Sequence, residues 1–358
     1  MNARFRELDG LRALAALAVV VSHFTGAYNS RYIDDPKPIF DFPQGAFGVQ
    51  LFFLVSGFVI LMSASRARKP SDFVISRASR LYPAYWLSLV LAVLLNRLFQ
   101  IPHSEMSLGE TIINLTMVQR WFQVPNVVDV YWTLTVEIQF YILIFILLLL
   151  TRCRISDRLI LNITVAWLFV ALAVAFWAGP FSRGVDPQNV ITPVKLVLNI
   201  TLAEYGPLFC CGMFAYLSRR DGRRNLMTFV AGMASVVVSG LLHSWLDAAI
   251  VAGICAAFII IVLRERTSWL MLPPLQWFGK ISYSMYIVHS VAGYVVIKLT
   301  WPYVGRDGAI ILALVITILL AWGCYVVGEK YGSSSARRFL TDMRDRRVRS
   351  GGSNSAPE

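Results

Sequence analysis

Apolar residues run through this chain in long blocks, and the short stretches between the blocks hold most of the charge. The blocks lie near 10–28, 46–64, 81–100, 131–150, 159–178, 195–217, 225–243, 246–263, 281–299 and 307–327. A block of about 18–20 apolar residues is what a helix needs to cross a hydrocarbon core of about 30 Å. Backbone groups in lipid must be bonded internally, which leaves helices or a closed barrel. Barrel strands alternate apolar and polar positions, whereas 141–150 reads YILIFILLLL without alternation. The pattern therefore predicts an all-α polytopic helical bundle of about ten spans.

The placement of charge orients the spans. With both termini in the cytoplasm, all but eight of the 33 Lys and Arg residues fall at the termini, at Arg12 or in the even-numbered connections. The exceptions are Arg31, Lys37, Arg97, Arg120, Arg183, Lys195, Lys298 and Arg306. One miscounted span would invert every later loop and destroy this bias. The same placement explains a formal net charge of +12. Basic loops facing anionic headgroups account for the excess, and no nucleic-acid motif accompanies it, so membrane lipids and not nucleic acid are the expected partners. Hydrophobic side chains make up 57% of the chain and charged ones 15%, well away from soluble composition. Four of the five cysteines lie inside apolar blocks and read as small core residues. No His, Cys or Asp cluster has metal-binding spacing, so no metal is expected.

Residues 1–330 read as one membrane domain, and 331–358 as a basic cytoplasmic tail, disordered beyond about 350. Basic residues ahead of the apolar run 13–21 resemble a signal peptide, but no small-residue cleavage site follows. The first helix instead continues through Ser22 and His23. Two external connections are long, 29–45 and 101–130. His103 and His243 fall at or near external loops and carry no assigned role.

Candidate chemistry sits on few residues. His23 lies thirteen residues into an inside-to-outside helix, roughly 20 Å deep. Arg12 precedes it by eleven positions near the cytoplasmic surface. Glu137 lies about six residues into the fourth span, roughly 9 Å below the outer face. A carboxylate beside an imidazole fixes its tautomer and raises its basicity, as a general base for a hydroxyl nucleophile requires. The same two groups would also suit mutual neutralisation of buried charge. Arg77 and Arg80 open the third span three residues apart, hence on one face, where they could clamp a phosphate or act as plain cytoplasmic anchors. Tyr283, Ser284 and His289 fall in the inner half of the ninth span.

Five segments, LDGLRALAALAVVVSHF, LFFLVSGFVI, SRASRLYPAYW, YWTLTVEIQFY and GKISYSMYIVH, occur in order from residue 8 to 289. Together they resemble the acyltransferase-3 family of membrane O-acyltransferases. That resemblance implies a bacterial inner-membrane enzyme moving an acyl group, usually acetyl, from cytoplasmic acyl-CoA to a hydroxyl of a cell-surface or exported carbohydrate. Acyl-CoA enters as donor substrate and no cofactor is bound. His23 would then serve as base or transient acyl acceptor and Glu137 would stabilise its imidazolium. Arg77, Arg80, Lys280 and Arg12 would hold the donor, while Tyr283, Ser284 and His289 would give hydrogen bonds in the cavity. The rival reading is a proton-coupled transporter or flippase of lipid-linked sugars or anionic solutes. Buried His and Glu suit proton coupling, but the paired broken helices of repeated halves are not visible in the sequence.

Overall fold

The computed structural model describes residues 5–101, 106–185, 190–264 and 267–352. Among them thirteen α-helices occur and no strand. In order they are α1 Arg6–Ser22, α2 Tyr28–Arg31, α3 Gly48–Ala64, α4 Pro70–Phe99, α5 Leu108–Asn114, α6 Trp132–Leu150 and α7 Asp157–Ser182. They continue as α8 Thr192–Thr201, α9 Gly206–Asp221, α10 Leu226–Leu242, α11 Trp245–Leu263, α12 Pro273–Cys324 and α13 Ser333–Gly352. Among the described residues, eight helical stretches are long and apolar enough to cross a membrane. The predicted seventh span is α10, at 17 residues a shorter apolar helix. The predicted ninth and tenth spans both fall in the stretch Pro273–Arg346, divided at Gly305 with φ 73° and ψ 168°. That backbone region is essentially closed to residues with a Cβ.

Three boundaries differ from the apolar pattern. Helix α4 begins at Pro70, eleven residues before the predicted 81, because Pro70 fits the first turn and Asp72 Oδ2 accepts from the Lys69 N–H at 2.9 Å. Arg77 and Arg80 therefore sit about 10 and 15 Å along a helix already formed, not at its opening. Helix α12 likewise starts at Pro273, so Lys280 is helical and exposed. The predicted sixth span is two helices, because the chain turns at Leu202, φ 50°, between α8 and α9.

The helices cluster into two compact units. The first holds Met1–Gly26, Asp41–Arg66 and Trp132–Lys280. Within it α3 packs against α1, α6, α9 and α11, and α10 packs against α7, α9 and α11. The α3–α9 crossing is close because both helices place glycine there. A Cβ on Gly57 would strike the Phe209 carbonyl, and one on Gly212 the Leu54 carbonyl. Lipid gives helices no hydrophobic reason to associate, so close backbone approach carries much of the association. Two residues, His243 and Ser244, join α10 to α11. There His243 Nε2 lies 2.9 Å from Glu204 Oε1 in the α8–α9 turn, and Ser244 and Asp247 form a capping box that starts α11.

The second unit holds Ala27–Phe40, Ala67–Tyr131 and Ile281–Glu358. Here α4 packs against α13 and the π-helical segment Tyr325–Gly332. Within the connection before α6, residues 110–127 are organised around Asn114, whose side chain bonds the Glu110 and Pro125 carbonyls and the Val127 N–H at 2.9–3.1 Å. The basic tail is helical through Gly352, and Arg344 Nη1 pairs with Asp72 Oδ1 at 2.6 Å. Of the end expected to be disordered beyond about 350, Gly351 and Gly352 are still helical, and residues 353–358 lie outside the described residues, as does His103.

Gly212→Val is expected to cost about 1–3 kcal/mol by forcing α9 off α3, seen as a lower apparent melting temperature of the detergent-solubilised protein. Glu204, by hydrogen bond and charge, and Asp247 raise the His243 pKa above 6.5 against the opposing effect of burial. The folded chain then holds this proton more tightly than the unfolded one. The pair's stabilisation is fully present below about pH 6.5 and fades as pH rises through the folded value. With His243 partly exposed, it amounts to under about 1 kcal/mol. Melting temperatures measured from pH 6 to 9 should show this increment in the wild type and lose it in His243→Gln.

Candidate functional site

In the first unit the chemistry begins on α1. Arg12 and His23 are eleven residues apart, within about 20° of the same helix face and about 16 Å apart along the axis. His23 opens a π-helical turn, His23–Ala27, directly after α1. Such a widened turn re-aims the side chains around it and is frequent at functional sites. Its setting is fixed on both sides. Phe24 is fully buried, Ser22 Oγ donates to the Pro43 carbonyl at 3.3 Å, and Thr25 Oγ1 accepts from the Phe42 N–H at 3.1 Å. Arg12 and His23 are themselves half-buried.

Glu137 sits on α6, half-buried, and its carboxylate is held by two hydroxyls. Ser56 Oγ on α3 donates to Oε1 at 2.8 Å, and Tyr141 OH, one turn along α6, donates to the same oxygen at 2.5 Å. These bonds fix the carboxylate and tie α6 to α3. Neither Ser56 nor Tyr141 stands out in the sequence, because hydroxyl residues are common in apolar helices. Lys280, also in this unit, is exposed near the start of α12.

The remaining candidates lie in the second unit. Arg77 and Arg80 are half-buried on α4, and Arg77 Nη2 donates to Ser76 Oγ at 3.2 Å. Tyr283, Ser284 and His289 are all buried on α12. Tyr283 OH donates to the Leu81 carbonyl at 3.1 Å, and His289 Nδ1 lies 2.7 Å from the Tyr286 carbonyl, which makes that nitrogen the donor. Ser284 gives both its N–H and its hydroxyl to Glu329 Oε1, at 3.1 and 2.6 Å. Glu329 was not singled out from the sequence. It follows the last apolar block beside Lys330 and reads there as a boundary charge, but the helix continues through it in π geometry.

The structure thus groups Arg12, His23, Glu137 and Lys280 in one unit, and Arg77, Arg80, Tyr283, Ser284 and His289 in the other. Among the described residues, no group of three or more His, Cys, Asp or Glu is arranged to hold a metal ion.

Comparison with known proteins places these residues in a family. The family model described as an acyltransferase domain matches residues 5–327. The peptidoglycan O-acetyltransferase OatA of Listeria monocytogenes is 25% identical, over 82% of this chain and 50% of its own length. Nodulation protein 10 of Rhizobium leguminosarum is 27% identical, over 82% and 84%. The O-acetyltransferase OatA of Staphylococcus aureus is 24% identical, over 79% and 49%. The chain spans about half the length of these two O-acetyltransferases. No solved structure matches it. With its multi-pass helices and a match that takes in both Arg12 and His23, Glu137 and the α12 cluster, the chain belongs to the acyltransferase-3 family.

Proposed function

We propose that this chain is a membrane O-acyltransferase of a bacterial inner membrane, moving an acyl group, acetyl in the first instance, from cytoplasmic acyl-CoA to a carbohydrate hydroxyl. The observation that carries the reading is His23, set at an α-to-π transition on the face of α1 that also holds Arg12, within the family match. Relatives named for O-acetylation, one of them of peptidoglycan, support a glycan acceptor.

In this reading the His23 imidazole removes the proton from the acceptor hydroxyl as its oxygen attacks the thioester carbonyl. The new C–O bond forms, the C–S bond breaks, and the imidazolium returns the proton to the departing CoA thiolate. In a two-step form the imidazole nitrogen attacks the thioester carbonyl and the C–S bond breaks to release CoA thiolate. The acceptor oxygen then attacks the acyl-imidazole, the N–C bond breaks, and the hydroxyl proton passes to the thiolate. Glu137, held in place by Ser56 and Tyr141, supplies the negative charge that stabilises the imidazolium. Arg77 and Arg80, three residues apart on α4, have guanidinium forks suited to the donor's phosphates, and the family resemblance adds Lys280 and Arg12 as donor-binding residues. Tyr283, Ser284 and His289 hold α12 in place within the second unit through their hydrogen bonds.

Membranes supplied with radiolabelled acetyl-CoA should transfer label to surface glycan. His23→Ala should lower transfer at least about 100-fold, and Glu137→Gln at least about tenfold, by loss of charge at constant size. Normal insertion with full transfer by His23→Ala would overturn the assignment. Without acceptor, label that stays on the wild-type protein but not on His23→Ala marks the two-step form. Arg77→Ala with Arg80→Ala should raise the acetyl-CoA KM about tenfold, the loss of one or two charge-assisted hydrogen bonds.

A further inference from the structure

The first unit contains a half-open pocket of about 200 Å³. Glu204 and Tyr205, in the turn between α8 and α9, form part of its wall. Gln50, two residues into α3, and Ser239, His243 and Asp247 supply the other polar walls. None of these residues takes part in the chemistry described above.

The wall of this pocket carries amide and carboxylate oxygens beside the Ser235 and Ser239 hydroxyls and the Gln50 amide N–H. The Gln50 amide oxygen is shielded from solvent and receives no hydrogen bond from the described residues. Glu204 uses Oε1 for His243, and Asp247 uses Oδ2 for the Ser244 N–H and hydroxyl at 3.1 and 2.8 Å. Neither set of bonds engages Glu204 Oε2 or Asp247 Oδ1. A ligand that suits the site brings donors for these oxygens and acceptors for the hydroxyls and amide N–H beside them. It must also lie against an aromatic wall, since Tyr205 lines the pocket and is braced by Phe53 at 4.9 Å and Trp132 at 5.5 Å. The volume is below the roughly 300–1,000 Å³ of pockets for drug-sized ligands, which suits a single ring. A pyranose combines these properties: hydroxyl donors around its rim and apolar C–H faces.

We propose that this pocket is a subsite for one sugar ring of the acceptor glycan, with Gln50, Glu204 and Asp247 accepting from its hydroxyls and Tyr205 stacking on its face. The inference rests on the acyltransferase reading for the identity of the glycan, and it adds a place where that glycan is gripped. Gln50 and the Ser56 that holds Glu137 lie on the same helix, six residues or about 9 Å of rise apart. A sugar in the pocket would thus be a near neighbour in the chain of the one presented for acylation. Under the topology read from the basic loops, the α10–α11 connection faces the outer side, where an exported glycan is available.

The test uses the full chain in detergent, with a panel of neutral tetrasaccharides of glucose, galactose, mannose and N-acetylglucosamine, and choline chloride as a cationic probe. At least one tetrasaccharide should raise the wild-type melting temperature in a saturable way, and Glu204→Gln should weaken that binding about tenfold. Gln50→Leu should abolish the sugar effect while raising the melting temperature of the sugar-free protein, because an unanswered buried acceptor is removed. A purely structural Gln50 would give the opposite sign. In the transfer assay both variants should raise the KM for glycan about tenfold and leave the acetyl-CoA KM within about twofold, a tenfold change being one hydrogen bond's worth. No stabilisation by any tetrasaccharide, or stabilisation by choline alone, overturns the subsite. Transfer with unchanged glycan dependence in both variants also sinks it but spares the acyltransferase reading. Sugar binding lost in Gln50→Leu, with no acyl transfer from any donor, keeps the subsite and sinks the other.

Discussion

An ionised side chain placed among lipid tails has no water to solvate it, so the protein itself must supply the answering groups. That requirement shapes both units of this chain. Glu137 is answered by hydroxyls from two helices, and Glu329 by the backbone and side chain of Ser284. Arg219 at the end of α9 meets Glu7 of α1 at 3.6 Å and lies over the Phe5 ring. All of these contacts but the Tyr141–Glu137 bond within α6 join segments distant in sequence, so satisfying the charge also fixes which helices pack together. The glycines of the α3–α9 crossing act alongside these contacts, letting the two backbones approach closely.

Departures from regular helix fall where these polar groups lie. An unbroken α-helix satisfies its own backbone and presents side chains at fixed 100° intervals, which leaves little freedom to aim a functional group. His23 begins a π turn, Glu329 lies within another, and Glu204 follows the turn at Leu202. Freed backbone groups cost energy in a membrane unless protein partners take them up. Thr25 illustrates the compensation, its hydroxyl bonding the Val21 carbonyl at 2.8 Å and accepting from the Phe42 N–H. Irregular backbone is retained at residues with chemical potential and is otherwise sparse within the long apolar helices.

The candidate residues differ in how far the sequence revealed them. Arg12, His23 and Glu137 stood out because ionisable groups inside apolar blocks are rare and expensive. Ser56 and Tyr141 did not, since a hydroxyl in a helix is unremarkable until a carboxylate is found beside it. His243 drew attention only as a loop histidine. Its partner Glu204 is 39 residues away, inside what reads as a single span. Glu329 was hidden by its position at the end of the last apolar block, where a charge is ordinary.

By itself the sequence determined the all-α class, the placement of the apolar helices and the family motifs, because hydrophobic length and the order of short segments are local properties of the chain. It missed the early starts of α4 and α12, where charged residues inside a helix interrupt the apolar signal although capping and proline geometry continue the helix. Only the tertiary structure decided which hydroxyls hold Glu137, that the sixth span breaks at Leu202, and that residues of this break share a pocket with Gln50 and Asp247. Those outcomes depend on contacts between residues tens to hundreds of positions apart, and no window along the chain contains both partners.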